Sequence, residues 1–263
     1  MIPRGQQTHQ SDARVLNRRT LARDHRVLAS ILEPGMSVLD AGCGAGSITR
    51  GIAETVGVSG YVLGLDRDAT LLELARAANE DLPQLEFREA DLIDFNTDRQ
   101  FDIVSAARVL QWIGQPELAI ACMKRALRPG GRIVLLDYNH AENRWSPEPP
   151  VEFRRFYQAF LDWRTAHGWD NLMATNLTLL LELAGFSQIA MHEQDEVAER
   201  GEPDFELRSL IWLEVAESLG RQLVAEAFLR DGELDSARES YVEWRKSELT
   251  IQTLRLRAVV GNA

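Results

Sequence analysis

The residues with the clearest chemical potential in this 263-residue chain are Asp40-Ala41-Gly42-Cys43-Gly44-Ala45-Gly46. Glycines in this spacing let the backbone turn tightly and pass close to a bound ligand. A tight strand-to-helix turn with no ligand is the plainer reading, and the acids placed after the loop weigh against it. A nicotinamide oxidoreductase is the first competitor, but its fingerprint wants a glycine where this chain has Ser47. Asp40 at the loop entrance would repel a pyrophosphate and suits a ligand carrying an ammonium or sulfonium charge. Asp66 follows Gly42 by 24 residues and is placed to accept two hydrogen bonds from ribose hydroxyls. Asp91 is placed to accept from an adenine amino group.

These acids need strands to carry them. Ser37 to Asp40 reads as a short buried strand, and residues 46–56 repeat apolar side chains at Ile48, Ile52 and Val56, a helical spacing. Tyr61 to Asp66 is a second strand, residues 69–79 a helix, Leu85 to Ala90 a third strand and Phe101 to Ala106 a fourth. Pro116 opens a helix that reaches Leu127. Pro129-Gly130-Gly131 breaks it, and Arg132 to Asp137 is a fifth strand. Strands separated by helices predict βαβ units, a parallel sheet, and a ligand site at the carboxyl ends of its strands.

Beyond residue 140 the rhythm changes. Residues 141–150 read as a turn-rich linker with Pro147, Pro149 and Pro150. A helix follows with Phe153, Phe156, Tyr157 and Phe160 at i, i+3, i+4, i+7 spacing. Residues 176–184 are a helix closed by Gly185, and Phe186 to Met191 is a strand. Residues 203–248 show three helical stretches, with apolar rows ending at Leu219, Phe228 and Trp244. Thr250 to Val260 is a last strand. An N-terminal helix is expected around Val15 to Leu32.

Several segments in this order resemble the class I S-adenosylmethionine-dependent methyltransferase family. They are Val38 to Gly46, Gly64-Leu65-Asp66, Ala90-Asp91-Leu92, Phe101-Asp102-Ile103-Val104 and Leu127-Arg128-Pro129-Gly130-Gly131. The likeness covers about residues 36–140, 175–192 and 250–260. Within the family the pattern looks like the ubiquinone/menaquinone-type small-molecule methyltransferases. The resemblance implies an α/β fold: a Rossmann-like, seven-stranded, mostly parallel sheet with helices on both faces, a last strand that is antiparallel, and S-adenosylmethionine across the carboxyl edge. It implies Asp40, Gly42, Cys43, Gly44 and Gly46 under the cofactor, Asp66 at the ribose, Asp91 and Leu92 beside the adenine, and Arg67 among the cofactor-binding residues. Arg108 is placed to pair with the cofactor carboxylate, a surface salt bridge being the alternative. The product would be S-adenosylhomocysteine. A non-methylating binder of the same cofactor remains the alternative on the same scaffold.

Methyl transfer from a sulfonium is an in-line displacement, so a general base is optional. Tyr138, Asn139 and His140 after the fifth strand are the candidates, with strand-end surface polarity as their plainer reading. His25 and His9 are further alternatives. Trp145, Phe153, Phe156, Tyr157 and Phe160 are expected to line an acceptor pocket, since small-molecule sites are mostly apolar and aromatic. Helical spacing equally fits a core. Residues 105–108, Ser-Ala-Ala-Arg, lack the Asn/Asp-Pro-Pro-aromatic loop of enzymes that methylate base or amide nitrogen. Asp137 alone is a poor magnesium site, so no metal is expected.

The organisation expected is an N-terminal helical cap over 1–35, a cofactor core over 36–140, and a linker and aromatic helix over 141–174. A core helix and strand over 175–202 and an inserted helical lid over 203–249 follow, with the last core strand over 250–263. With 45% hydrophobic and 26% charged residues, the chain can bury a full core. Cys43 and Cys122 are too few for a disulfide framework and read as small core residues. The charge is −11, from 29 basic and 40 acidic residues, which disfavours a general nucleic-acid binder. No apolar run approaches the roughly 20 residues of a membrane span. A cytoplasmic enzyme, with no nucleic acid or membrane partner, a homodimer as a candidate assembly and a small apolar or aromatic methyl acceptor, is the reading that results.

Overall fold

The structure is a computed structural model that describes residues 18–263. His9 and the start of the expected N-terminal helix lie outside the described residues. In chain order the elements begin with α1 (Leu21–Asp24), α2 (Arg26–Ala29), β1 (Ser37–Ala41), α3 (Ser47–Val56), β2 (Tyr61–Asp66), α4 (Ala69–Ala78) and β3 (Leu85–Glu89). Next come β4 (Phe101–Ala107), α5 (Pro116–Ala126), β5 (Leu127–Tyr138), β6 (Arg144–Ser146), α6 (Val151–Ala166) and α7 (Met173–Leu183). The chain continues with β7 (Ser187–Glu193), β8 (Glu196–Glu199), α8 (Phe205–Arg208), α9 (Ile211–Ala225), α10 (Glu233–Ser247), β9 (Ile251–Leu254) and β10 (Leu256–Asn262). Among the described residues no helix is long and apolar enough to cross a membrane.

The chain divides into a sheet unit, residues 18–138, 173–194 and 256–263, and a helical unit, residues 139–172 and 195–255. The sheet unit holds seven strands in the order β3-β2-β1-β4-β5-β10-β7. Strands β1 to β5 pair parallel, and β10 runs antiparallel to both β5 and β7. This is the Rossmann-like sheet that the βαβ pattern predicts. Central β1 is buried along nearly its whole length because helices cover both faces. One core layer gathers Leu39, Leu63, Val104, Leu135 and Leu177; the other gathers Leu28, Val38, Ile52, Val62 and Val134. Alternate residues of one strand thus face opposite layers.

Local signals account for the helices. In α3 the buried row is Thr49, Ile52, Ala53 and Val56, one face at helical period. Asp68 caps α4, its carboxylate accepting from the N–H groups of Thr70 and Leu71. Pro116 stands in the first turn of α5.

The expected N-terminal helix is instead broken into α1 and α2 at His25, whose φ of −147° and ψ of 57° are not helical. The fifth strand begins earlier than the Pro-Gly-Gly run predicts. Leu127 pairs with Phe101 and Arg132 with Ile103, so residues 128–131 bulge out opposite Asp102. Arg128 closes the bulge with a 2.6 Å ion pair to Asp102.

The helical unit packs α6 against α9 and α10 and carries a small antiparallel sheet in the order β6-β9-β8. That sheet was not expected. The linker over 141–150 contains β6, and the single strand expected from Thr250 to Val260 is two strands in different sheets. The split falls at Arg255. Its N–H donates to Asn143 Oδ1 and its carbonyl accepts from the N–H of Asn139, so its backbone serves neither ladder. The three helical stretches expected over 203–248 are the single turn α8 and two long helices. Leu223 and Val224 close α9, and Ala227, at φ 62°, lies past its end.

Candidate functional site

The glycine loop leaves β1 beside the end of β2. The N–H groups of Gly42 and Cys43 both donate to the Leu65 carbonyl, at 2.6 and 2.9 Å. The Gly44 N–H donates to Asp66 Oδ2 at 2.7 Å. Asp66 Oδ1 accepts from the Asp68 N–H at 3.0 Å. The Asp66 carboxylate is therefore tied to the loop it serves. Glycine is required at two places for steric reasons. A Cβ on Gly42, at φ +77°, would lie 2.3 Å from Val109 Cγ2, and one on Gly64 would lie 2.6 Å from the Phe87 ring and 3.0 Å from Cys43 Sγ. Phe87 and Val109 flank the loop, and neither carries a sequence signal that would single it out. Exclusion from water raises the Cys43 thiol well above its ordinary pKa, and the nearby carboxylates Asp40 and Asp66 add to the rise, so it is an inert member of the wall.

Asp40 is buried, 4% exposed, and Thr49 Oγ1 donates to its Oδ2 at 2.7 Å. Burial pushes its carboxyl up to about 6, the Thr49 hydrogen bond opposes that rise, and repulsion from Asp66 adds to it. Among the described residues no cation pairs with Asp40. Thr49 escapes a motif search, although its place in the first turn after the loop is the one from which a hydroxyl can reach back to Asp40.

The third strand delivers Asp91 and Leu92 next to the same edge: the Ala90 N–H donates to the Asp66 carbonyl at 2.9 Å. Asp91 is exposed and its Oδ1 accepts from the Ile93 N–H, while Leu92 is buried. Arg67 is exposed. Asp40, Gly42, Cys43, Gly44, Gly46, Asp66, Arg67, Asp91 and Leu92 thus fall on the carboxyl ends of β1, β2 and β3 or just beyond them.

Arg108 directly follows β4 and takes a left-handed φ of 64°. It is buried, which corrects the alternative of a surface salt bridge. Its N–H donates to the Leu136 carbonyl at 2.6 Å. Its guanidinium donates from Nε to the Tyr138 hydroxyl at 3.2 Å and from Nη2 to the Asp24 carbonyl at 3.1 Å. Asp137 accepts from the N–H groups of Gln111 and Tyr138. Among the described residues no group of three His, Cys, Asp or Glu side chains is arranged to hold a metal.

The other two base candidates belong to the helical unit. Asn139 donates to Glu142 Oε2 at 2.9 Å. The His140 ring meets Phe160 edge-on at 5.3 Å between centroids and Trp212 at 6.5 Å. Burial, with the Arg164 charge behind it, holds its imidazole well below the usual range, so it is neutral and weakly basic. Tyr138, Asn139 and His140 are all buried, not the surface polar residues of the plainer reading.

The five aromatics expected at the acceptor pocket separate into two kinds. Phe153, Phe156 and Phe160 are closed inside the helical unit, with Phe153 4.5 Å from Tyr241 and 6.1 Å from Phe156. Trp145 and Tyr157 are only partly buried, although burial still pushes the Tyr157 hydroxyl above the usual phenol range. Trp145 crosses Tyr157 at 4.9 Å, and Tyr157 crosses Trp212 at 4.8 Å. The Tyr157 hydroxyl donates to the His140 carbonyl and accepts from Asn143 Nδ2. Trp212 joins this cluster from α9, about 55 residues further along, a link that periodicity within one helix does not reveal.

Comparison with known proteins follows from this geometry. A family model described as a methyltransferase domain matches residues 32–176. The 2-phytyl-1,4-naphtoquinone methyltransferase of Trichormus variabilis is 31% identical over 134 residues, 49% of this chain and 56% of that one. The trans-aconitate 2-methyltransferase of Deinococcus radiodurans is 32% identical over 138 residues, 51% and 52% of the two chains. An uncharacterised transposon protein of Streptomyces fradiae is 41% identical over 106 residues, 39% of this chain and 30% of that one. The chain thus spans about half the length of the named relatives. Among solved structures, phosphoethanolamine N-methyltransferase 2 of Haemonchus contortus, in complex with S-adenosylmethionine, matches with TM-score 0.57 at 18% identity, over 92% of this chain and 52% of that one. The YcgJ protein of Bacillus subtilis matches with TM-score 0.57 at 15% identity, over 90% and 96%. At these identities the structures share the fold. Glycine loop, strand-end acids, sheet order and family match agree, and the chain belongs to the methyltransferase-domain family of class I S-adenosylmethionine-dependent enzymes.

Proposed function

We propose that the protein transfers a methyl group from S-adenosylmethionine to a small, largely apolar or aromatic molecule. The observation that carries this reading is Asp40. A buried carboxylate at the mouth of a glycine loop, with no cation paired to it among the described residues, is a site waiting for positive charge. A nicotinamide dinucleotide would bring the wrong charge to it. The residues present fit the cofactor: Asp66 is held where a ribose edge can meet it, and the wall of Gly42 and Gly64 is too tight for side chains.

The cofactor supplies an electrophilic methyl on a positive sulfur. The protein binds, aims and excludes water. Asp40 and Asp66 set the cofactor's direction across the carboxyl edge, Leu92 offers an apolar face, and Arg108 stands at the end of β4 with a fixed positive charge.

A small-molecule acceptor is supported by the relatives, whose names give naphthoquinone and aconitate substrates. The edge-on pair of partly buried aromatics Trp145 and Tyr157 supports a part for the helical unit in acceptor choice. Calorimetry tests the reading: S-adenosylmethionine and S-adenosylhomocysteine bind, and NAD and NADP do not. Tight NAD binding with no binding of S-adenosylmethionine overturns it.

A further inference from the structure

A threonine hydroxyl inside a helix ordinarily donates to the carbonyl four residues back. Thr55 of α3 does so to Gly51 at 2.7 Å, and Thr165 of α6 does so to Leu161 at 3.0 Å. Thr49, in the first turn of the same α3, instead donates to Asp40 Oδ2 on β1 at 2.7 Å. The loop between them makes that reach possible. It enters α3 through Gly46 at a left-handed φ of 82°, where a Cβ would lie 2.9 Å from Phe87 Cζ.

Both partners are out of water. Thr49 is fully buried in the row it forms with Ile52, Ala53 and Val56, and Asp40 is 4% exposed. Valine has nearly the shape of threonine and would suit that apolar row without the cost of burying a hydroxyl. Packing therefore gives no reason for an oxygen at residue 49, whereas the carboxylate does. Among the described residues Thr49 Oγ1 is the one hydrogen-bond donor to the Asp40 side chain, and no cation pairs with it.

The other groups around Asp40 do nothing to favour its charge. Asp66, at the end of β2, repels it. Cys43 keeps its thiol proton, because burial and the two carboxylates raise its pKa. On β4, Ser105 stands in register with Asp40, and its Oγ lies 3.0 Å from His25 Nε2. Burial and the Arg108 charge lower the His25 pKa to about 3, so that ring is neutral. Burial pushes the Asp40 carboxyl up to about 6, and the Thr49 hydrogen bond keeps it from going higher. That bond is charge-assisted, and so about twice as strong, only while Asp40 is ionised.

We propose that Thr49 is a positioning residue for cofactor binding: by donating to Asp40 Oδ2 it favours the anionic form of the buried carboxylate, the form that a sulfonium or ammonium ligand needs. The proposal rests on the reading of Asp40 as the acid that meets the cofactor's positive charge. Thr49 touches no ligand in this scheme and acts through Asp40.

The test uses the full chain as wild type, Thr49→Val and Thr49→Ser. The Asp40 carboxyl is titrated without ligand by ¹³C NMR of labelled aspartate, its resonance assigned by its loss in Asp40→Asn. Thr49→Val is expected to raise the Asp40 midpoint by about one pH unit, and Thr49→Ser to keep it within about 0.3. Calorimetry then finds S-adenosylmethionine about fivefold weaker on the valine variant at about pH 6, and within about twofold of wild type at about pH 8, where both chains are ionised. A purely structural role for Thr49 would weaken binding equally at both pH values and leave the midpoint in place. An unmoved midpoint in Thr49→Val, or a loss of affinity independent of pH, overturns the proposal. Should the valine variant fail to fold, the Thr49 hydroxyl proton of the wild-type chain, observed with ¹³C-labelled threonine, decides. It shifts as pH passes the Asp40 midpoint, and a fixed resonance overturns the proposal. If S-adenosylmethionine does not bind the wild-type chain, the cofactor reading falls, and the ligand-free titration still judges the link between Thr49 and Asp40.

Discussion

The Gly44 N–H holds Asp66 Oδ2 at 2.7 Å, so the glycine loop and the acid at the end of the second strand are one rigid piece. A carboxylate held this way meets a ribose edge without reorganising, and charge-assisted bonds contribute about 1.5–3 kcal/mol each. Asp66→Ala is expected to weaken S-adenosylhomocysteine by at least about tenfold while circular dichroism stays unchanged. Unaltered affinity in calorimetry would mean that the second strand does not end at the ribose.

Asp40 gives a pH dependence with a definite sign. Its folded carboxyl titrates near 6, above the unfolded value of 3.8. Between those values the folded chain holds a proton that the unfolded chain has lost, so this group's contribution to stability falls as pH rises through about 6. Asp40→Asn should therefore stabilise the ligand-free protein at pH 8 by on the order of 2 kcal/mol, read as a higher melting temperature. A cationic ligand favours the ionised form. Affinity for S-adenosylmethionine should rise with pH up to about 6 and level off above it, and the Asn variant should lose that slope. A slope that survives the substitution places the titrating group elsewhere.

The two kinds of aromatic in the helical unit should answer differently to truncation. Phe156→Ala opens a cavity in a closed core and is expected to cost about 3–5 kcal/mol. Trp145→Ala removes a partly buried ring and should cost less stability. If the helical unit selects the acceptor, the Trp145 variant changes acceptor KM while cofactor affinity stays within about twofold. Normal kinetics in that variant would reduce Trp145 to packing.

Methyl transfer should persist in EDTA, since Asp137 is engaged by main-chain N–H groups and no three-ligand cluster stands among the described residues. Loss of turnover on chelation, restored by magnesium, would show that a ligand completes a site with Asp137.

The sheet unit was legible because its signals are local. Strand runs ending in Asp40, Asp66 and Asp91 alternate with helices, one of them capped by Asp68, and parallel pairing follows from the crossovers. The helical unit was less so. Whether Thr250 to Val260 forms one strand or two depends on Asn143, more than 100 residues earlier, accepting the Arg255 N–H. Phe153 and Phe160 share their periodicity with pocket-lining residues, and only Trp212 and Tyr241, brought in from other helices, show them to be core. His25 was visible as a histidine but not as a helix breaker, since the residue that draws it inward, Ser105, is distant in sequence.

Strand β10 follows every other strand in the chain, yet it lies between β5 and β7 inside the large sheet. During synthesis β5 and β7 must wait with open, hydrogen-bonding edges until residues 256–262 arrive to join them. Such edges are templates for foreign strands, and pairings of this sequence separation form slowly. A change that keeps residues 256–262 from pairing would leave the Asp40–Asp66 loop intact in sequence, yet deliver a chain with two exposed edges, fit for inclusion bodies and proteolysis more than for catalysis.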